Sequence, residues 1–383
     1  MITKKNIAQT SIHLFDGIVI LVRKKYLFFV CVLLFAGCFE HQEPMLSDGW
    51  KTSTPLVQGM NDSVLNMLSE KILSGEFGEI HSTLIIRNGY IIFEKYYRGA
   101  SRNILHPVYS VTKSVTSLLV GIAKDKGSIT STQTRILDIF SEYTSTANFD
   151  SNKQRITLRD VLAMRAGFDW DESSMPYGVP ENPTYQLAHS GDWIKFMLDR
   201  RMKYAPGIHF TYNSGCSILL SGVLRKKTRL RADDFAKENL FTPLGITQWQ
   251  WETGPNNITN TGWGLHLLSR DMAKIGYLVL NNGKWNGKEL LTKAWIDSAT
   301  TPSTTLNDGA YSYGFQWWMK PIEHLSGHTP TTRDIRFAWG WGGQYIFLIP
   351  KYNLVVVATS GNYEQNEEKP IEFLEDYILK AIR

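Results

Sequence analysis

Cysteine is scarce in this chain, with three residues in 383, at positions 31, 38 and 216. The first two fall in an N-terminal stretch with the composition of an export signal. Cys216 is then left without an internal partner, so a disulfide-stapled scaffold is excluded. No H-E-x-x-H and no close cysteine pair occurs, and the nine histidines are dispersed. No metal site is therefore expected, and no nucleotide or organic cofactor is implied. A G-x-S-x-G elbow is also missing, which argues against the strand-turn-helix nucleophile of α/β-hydrolases. The charge excess is small, +5 at pH 7, and its lysines and arginines are scattered. No nucleic-acid partner is expected from such a distribution. The one basic run, "RKKTRLR" from Arg225 to Arg231, follows a helical pattern from Ser214 to Leu224. It reads either as a solvated turn complementing a helix C-terminus or as a polyanion contact.

Long apolar runs are absent too. "RKKYLFFVCVLLFAGC" sets a basic cluster before an apolar run, Tyr26 to Ala36, that is too short to span a bilayer and has the anatomy of a secretion signal. Its end, Leu34 to Cys38, resembles the lipobox of bacterial lipoproteins, with Phe35 where a small aliphatic residue is usual. Residues 1–38 are thus expected to be a signal peptide and Cys38 a lipidated N-terminus. That implies a membrane anchor in a bacterial cell envelope, facing the periplasm. The alternative is a plain signal, cut elsewhere, and secretion to the periplasm. Residues 39–75 are expected to form a polar tether, and 76–383 the folded domain.

Within that domain "STLIIRNGYIIFEKYY", Ser82 to Tyr97, reads as two strands joined at Asn88-Gly89, a strong hairpin signal. From Ile156 to about Gly245 the patterns are helical and loop-like, with a polar stretch from Glu172 to Ser190 long enough to be a functional loop. Strand signals return in "YSYGFQWWMK", "QYIFLIP" and "NLVVVATSG", followed by a terminal helix pattern. Strands and helices from both chain ends around a helical insertion imply an α/β lobe plus a helical lobe, with a site in the cleft between.

Three stretches could carry chemistry there. In "HPVYSVTKSVTSLLVG", Ser110 opens a helix that is apolar nearly all round. Lys113 sits one turn on, on the same face. Chance supplies roughly one or two S-x-x-K strings in a chain this long, and a capping serine with a snorkelling lysine is the bland alternative. In "APGIHFTYNSG", Tyr212 lies on a connection after a Pro-Gly turn. If its phenol faced Lys113, the ammonium would favour the phenolate and supply a base without histidine; otherwise it is a packing tyrosine. In "FAWGWGGQYIFLIP", Gly340, Gly342 and Gly343 flank Trp341 before an apolar strand. They permit close approach to backbone N–H groups, or form a bulged strand edge. His266, in "GWGLHLLSRD", reads as a satisfied structural side chain or a wall of the cleft.

Taken in order, these stretches together with "ITLRDVLAMRAGFDW", "LFTPLGI" and "GWGLHLLSRDMAKIG" resemble the serine hydrolases of the β-lactamase and penicillin-binding superfamily. The resemblance is to the class C-like branch that includes esterases and 6-aminohexanoate-dimer hydrolases, and it runs from about Ser82 to the end. It implies an α/β fold with an antiparallel sheet flanked by helices plus a helical lobe at about 156–260. It implies Ser110 as acyl-accepting nucleophile, Lys113 as its proton partner and Tyr212 as general base. Backbone N–H groups of Ser110 and Trp341 would form the oxyanion hole, along the strand segment Gly340, Trp341 and Gly342. Ser214, Trp339 and His266 are candidate walls of the substrate cleft.

Two departures bear on substrate. Class C β-lactamases carry Tyr-x-Asn, and here the third position is Ser214. They also carry Lys-Thr-Gly, and here Ala338-Trp339-Gly340 stands instead, without the cation that would hold a β-lactam carboxylate. The expected activity is hydrolysis of small esters or amides through an acyl-serine. The alternatives are a β-lactamase or D-Ala-D-Ala peptidase acting on cell wall, and a catalytically silent ligand-binding lipoprotein.

Overall fold

Asn88 and Gly89 both lie in the left-handed region, at φ +53° and +84°, which is the geometry of a two-residue type I′ hairpin turn. In the computed structural model, which describes residues 48–143, 145–323, 329–363 and 365–383, this hairpin is near the start of the fold. The principal elements run β1 (Lys51–Thr52), α1 (Asp62–Leu73), β2 (Ile80–Arg87), β3 (Tyr90–Tyr96), β4 (His106–Pro107) and α2 (Val111–Asp125). A largely helical stretch follows with α3 (Leu158–Leu162), α4 (Pro183–Ala188), α5 (Trp193–Leu198) and α6 (Ser214–Thr228). Next come β5 (Trp249–Trp251), β6 (Leu265–Leu267), α7 (Ser269–Leu280) and α8 (Lys293–Ala299). The chain closes with β7 (Thr304–Leu306), β8 (Tyr311–Tyr313), β9 (Trp318–Lys320), β10 (Ile335–Gly340), β11 (Gln344–Ile349), β12 (Leu354–Ser360) and α9 (Lys369–Phe373).

Nine strands make the main sheet, in the order β1-β3-β2-β12-β11-β10-β9-β8-β7. Among the described residues only the β1–β3 pair of this sheet is parallel, and the hairpin from one end of the sequence joins the strands from the other through β2 and β12, with Leu84 opposite Val357. Side chains alternate along β12: Val355 and Val357 enter the cluster with α2 and α7, while Val356 and Ala358 enter the cluster with α1 and the C-terminal helices. Both faces of the sheet are therefore covered, which explains why its strands read as continuous apolar runs.

Residues 48–75, expected as part of a polar tether, are folded. Trp50 is buried, and α1 carries Leu65, Leu68 and Ile72 on one buried face, a 3.6-residue stripe that the surrounding polar residues obscure. The end of the chain packs beside it, Asn61 N donating to Ala381 O at 2.7 Å. The expected signal, Cys38 and the first part of the tether lie outside the described residues.

Helix α2 is buried from Val111 through Ala123, and each fully buried leucine or valine along it contributes about 1.5–3 kcal/mol. It packs against α6 and α8 as well as the sheet, so its N-terminus is fixed from several sides. A second, small sheet, β4-β6-β5, holds the segment just before that N-terminus, with Pro107 opposite His266.

Candidate active site

Ser110 precedes the first turn of α2, and its side chain caps nothing. The residue before it, Tyr109, has φ +45°, a conformation costing about 1–3 kcal/mol for a bulky residue. That kink lets the chain turn sharply from β4 into the helix. Lys113 is equally unlike a snorkelling lysine: it is 1% exposed, and its Nζ donates to Ser110 Oγ at 2.8 Å and to Gly262 O at 2.8 Å. Burial in the helix core pushes its pKa down to about 8, against a smaller upward pull from the Glu172 carboxylate. A tenth of such an amine is neutral at pH 7, by the ordinary titration relation.

Tyr212 comes two residues before α6, and Lys113 Nζ lies 5.0 Å from its ring centroid. The ring packs on Trp318 and Tyr313, and the phenol faces Ser110. Burial and then Glu172 hold the phenol well above its ordinary range, against a smaller lowering by Ser110. This reverses the expectation that Lys113 would lower it. Desolvation of the buried phenolate, with the Glu172 carboxylate beside it, sets the direction. Ser110, Lys113 and Tyr212 thus meet as expected, but the group set up to lose its charge is the lysine.

The strand expected to face Ser110 does so in part. Gly340 and Trp341, at the end of β10, line a 590 Å³ cavity together with Ser110, Tyr212 and Trp339. A Cβ at Gly340 would collide with the carbonyl oxygen of Val108, so only glycine lets β10 approach the segment leading to the nucleophile. Gly342 is elsewhere. With φ +78° it belongs to the turn between β10 and β11, where Ser360 Oγ donates to its carbonyl, and it does not line the cavity. Of the two readings of His266, the structure has the structural side chain and not a wall of the cavity. Leu265 and Leu267 on either side are buried, and strand alternation sends the imidazole the other way, to 3.8 Å from Glu252.

Ser214 opens α6 behind Asn213, whose Oδ1 caps the helix by accepting from Cys216 N at 3.1 Å. Ser214 itself reveals a residue the sequence did not single out. Its backbone N and its Oγ both donate to the carboxylate of Glu172, at 2.7 Å each. Trp170 Nε1 donates to the same carboxylate at 2.6 Å and Thr184 Oγ1 at 3.2 Å. Glu172 is 1% exposed and stands next to exposed Asp171, so nothing in "DWDESS" separates the two by type or spacing. Its role is visible only in three dimensions: it ties the 172–182 loop to the start of α6, and so fixes Tyr212. Among the described residues that line the large cavity, the charged ones are Glu172 and Glu367. No lysine or arginine is among the described residues lining it, and Arg336, two residues before the Ala338-Trp339-Gly340 segment, is not one of its walls.

The beta-lactamase family model matches residues 81–376. The chain belongs to the beta-lactamase family. Among its relatives, the 6-aminohexanoate-dimer hydrolase of Paenarthrobacter ureafaciens is 22% identical over 302 residues, covering 72% of this chain and 71% of that protein. Beta-lactamase-like protein 2 of Dictyostelium discoideum is 25% identical over 239 residues, or 54% of this chain, and the match spans only 41% of that relative's length. Among solved structures, EstCE1, a hydrolase with promiscuous acyltransferase activity, superposes with a TM-score of 0.65 at 16% identity, over 82% of this chain and 97% of that one. A penicillin-binding protein homologue from Caulobacter crescentus gives 0.62 at 16%, over 83% and 96%. At these identities the structural likeness establishes the fold of this beta-lactamase family member, a helix-flanked antiparallel sheet, and leaves its substrate to the site.

Proposed function

We propose that this beta-lactamase family member is a serine hydrolase of small esters or amides that works through an acyl-serine, with Lys113 as its general base. The observation that carries the reading is the buried Lys113 amine, 2.8 Å from Ser110 Oγ and held near pH 8 by desolvation. Neutral Lys113 takes the Ser110 proton as Oγ bonds to the substrate carbonyl carbon, and the carbonyl π pair moves onto oxygen. The N–H groups of Ser110 and Trp341 receive that oxyanion. Collapse of the adduct breaks the bond to the leaving alcohol or amine. The leaving group takes the Tyr212 proton, and the Lys113 ammonium replaces it. Water then attacks the acyl-serine with Lys113 again as base, the Oγ–acyl bond breaks, and Ser110 regains its proton.

The absence of a cation at the Ala338-Trp339-Gly340 position supports esters and amides over β-lactams, whose carboxylate would have no partner there. The test is active-site labelling with a fluorophosphonate, read by intact mass, beside turnover of p-nitrophenyl esters and of nitrocefin. The expected result is one label per chain, lost in Ser110→Ala, with ester turnover and little nitrocefin turnover. A folded protein that takes up no label would overturn the enzyme reading in favour of a silent binding module. Fast nitrocefin turnover would overturn the substrate ranking.

A further inference from the structure

Two hollows open on Ser110, and they differ in kind. The 590 Å³ cavity has Tyr212 in its wall and carries carboxylates. The second, of about 240 Å³, has Ser110 and Trp341 in its wall but not Tyr212. Its other walls are rings and small groups, among them Tyr109, Tyr177, Tyr185 and Trp263, with Ala188 at the rim. Those rings are held by each other: Tyr109 and Tyr177 meet Trp341 edge-on, at 5.3 and 5.9 Å between centroids, and Tyr185 stacks on His189 at 3.9 Å. The pocket is thus formed before any ligand arrives. No carboxylate, lysine or arginine is among the described residues lining it.

Which half of a substrate each hollow takes follows from the position of the proton donor. The leaving group must depart where Tyr212 can protonate it, in the large cavity. The acyl group must lie on the other side of the reacting carbon. Resting on the acyl-serine reading above, we propose that the ring-walled pocket is the acyl site, and that it selects uncharged, apolar acyl groups the size of a phenylacetyl or a short alkyl chain. Its volume is the share of about eight water molecules, enough for one aromatic ring. Rings meeting edge-on favour an aromatic or alkyl guest over one bearing a charge, because the polar groups in the wall are already engaged: the Ser214 and Thr184 hydroxyls donate to Glu172, and His189 Nδ1 lies 2.8 Å from Tyr185 O.

The experiment holds the leaving group constant and varies the acyl group. Acetyl, butyryl, phenylacetyl, succinyl and 6-aminohexanoyl esters of p-nitrophenol are compared by kcat/KM, alongside fluorophosphonate labelling of the same preparation. Phenylacetyl and butyryl esters are expected to exceed the acetyl ester by tenfold or more, the discrimination a hydrophobic pocket gives for added methylenes. The succinyl and 6-aminohexanoyl esters are expected to fall below both. Ala188→Trp, which fills the pocket from its rim, should bring the phenylacetyl-to-acetyl ratio down to near one. Tyr185→Ala, which widens it, should move the optimum to larger acyl groups, and gives a reading of opposite sign if the tryptophan variant folds poorly. A labelled, active enzyme with a flat acyl series, or one that prefers a charged acyl group, would overturn the pocket assignment alone. So would an Ala188→Trp effect that follows ring size on the alcohol in a series of acetate esters. Failure of both labelling and turnover would instead sink the acyl-serine reading on which it rests.

Discussion

Replacing Lys113 by methionine isolates what a buried amine costs and what it does. Burial lowers the amine's pKa from 10.5 to about 8, a difference equivalent to about 3 kcal/mol at 1.36 kcal/mol per pH unit. The unfolded chain keeps that proton up to pH 10.5, and the folded chain gives it up near 8. Between those values the unfolded state binds more protons, so the folded state gains stability as pH rises, by about 3 kcal/mol, and below pH 8 the contribution is flat. Methionine fills the same space without titrating, but leaves Gly262 O without the donor it has at 2.8 Å, a loss of about 1–3 kcal/mol for a buried carbonyl. The variant is therefore expected to match or exceed the wild type by up to about 2 kcal/mol at pH 7, and to fall about 1–3 kcal/mol below it at pH 10.5. Urea melts of both proteins between pH 7 and 10.5 measure this difference directly. If Lys113 is the base, as proposed, kcat/KM for a neutral ester should climb about tenfold per pH unit below 8 and level off above it, and Lys113→Met should lose about a thousandfold or more. A stability difference that stayed constant from pH 8 to 10.5, joined to a rate already level at pH 6, would refute the argument. Lys113 would then keep its proton throughout and could not be the base.

Tyr212→Phe should slow alkyl esters and linear amides by about a hundredfold or more while leaving p-nitrophenyl esters much less affected, because p-nitrophenolate departs without a proton; equal losses on both substrates would remove Tyr212 from the acid role. Glu172→Gln retains acceptors for Trp170 and the Ser214 N–H but loses the charge that draws the Lys113 pKa upward, so the acid limb of the rate profile should move to lower pH, with about 1–3 kcal/mol of stability lost as charge-assisted hydrogen bonds become neutral ones; a limb that moved to higher pH would contradict that electrostatic role. Gly340→Ala forces β10 away from Val108 and should lower both kcat and melting temperature, an overpacking cost of about 1–3 kcal/mol; an unchanged melt and rate would show that the approach of that strand is not needed.

The hairpin at Asn88-Gly89, the buried character of α2 and the late strands were legible because each rests on a local rule: turn chemistry, all-round apolarity, continuous apolar runs. Ser110 and Lys113 were legible as a pair because helix geometry alone puts residues three apart on one face. Other features were not local. The sign of the Tyr212 shift depends on how deeply the phenol is buried and on a carboxylate forty residues earlier in the sequence, and neither is written near Tyr212. Glu172 could not be told from Asp171 without knowing which of the two turns inward. His266 and Gly342 sat in suggestive strings, but strand alternation took the first away from the cavity and a turn absorbed the second. The buried face of α1 was masked by its polar neighbours, which is why a folded segment read as a tether.

The pairing of β2 with β12 has a consequence for how the molecule comes into being. The centre of the sheet unites residues such as Leu84 and Val357, so during synthesis the N-terminal hairpin must wait for almost the entire chain before its inner edge finds a partner. Until then β2, buried along most of its length in the finished protein, presents unpaired backbone and apolar side chains, the features that make nascent sheets prone to associate. Long sequence separation between partners also slows closure. A nascent chain arrested before residue 354 should accordingly remain protease-sensitive and bound by holding chaperones, and a chain arrested after residue 360 and given enough linker to leave the ribosome should become resistant. Maturation of this chain is thus gated by the arrival of one strand.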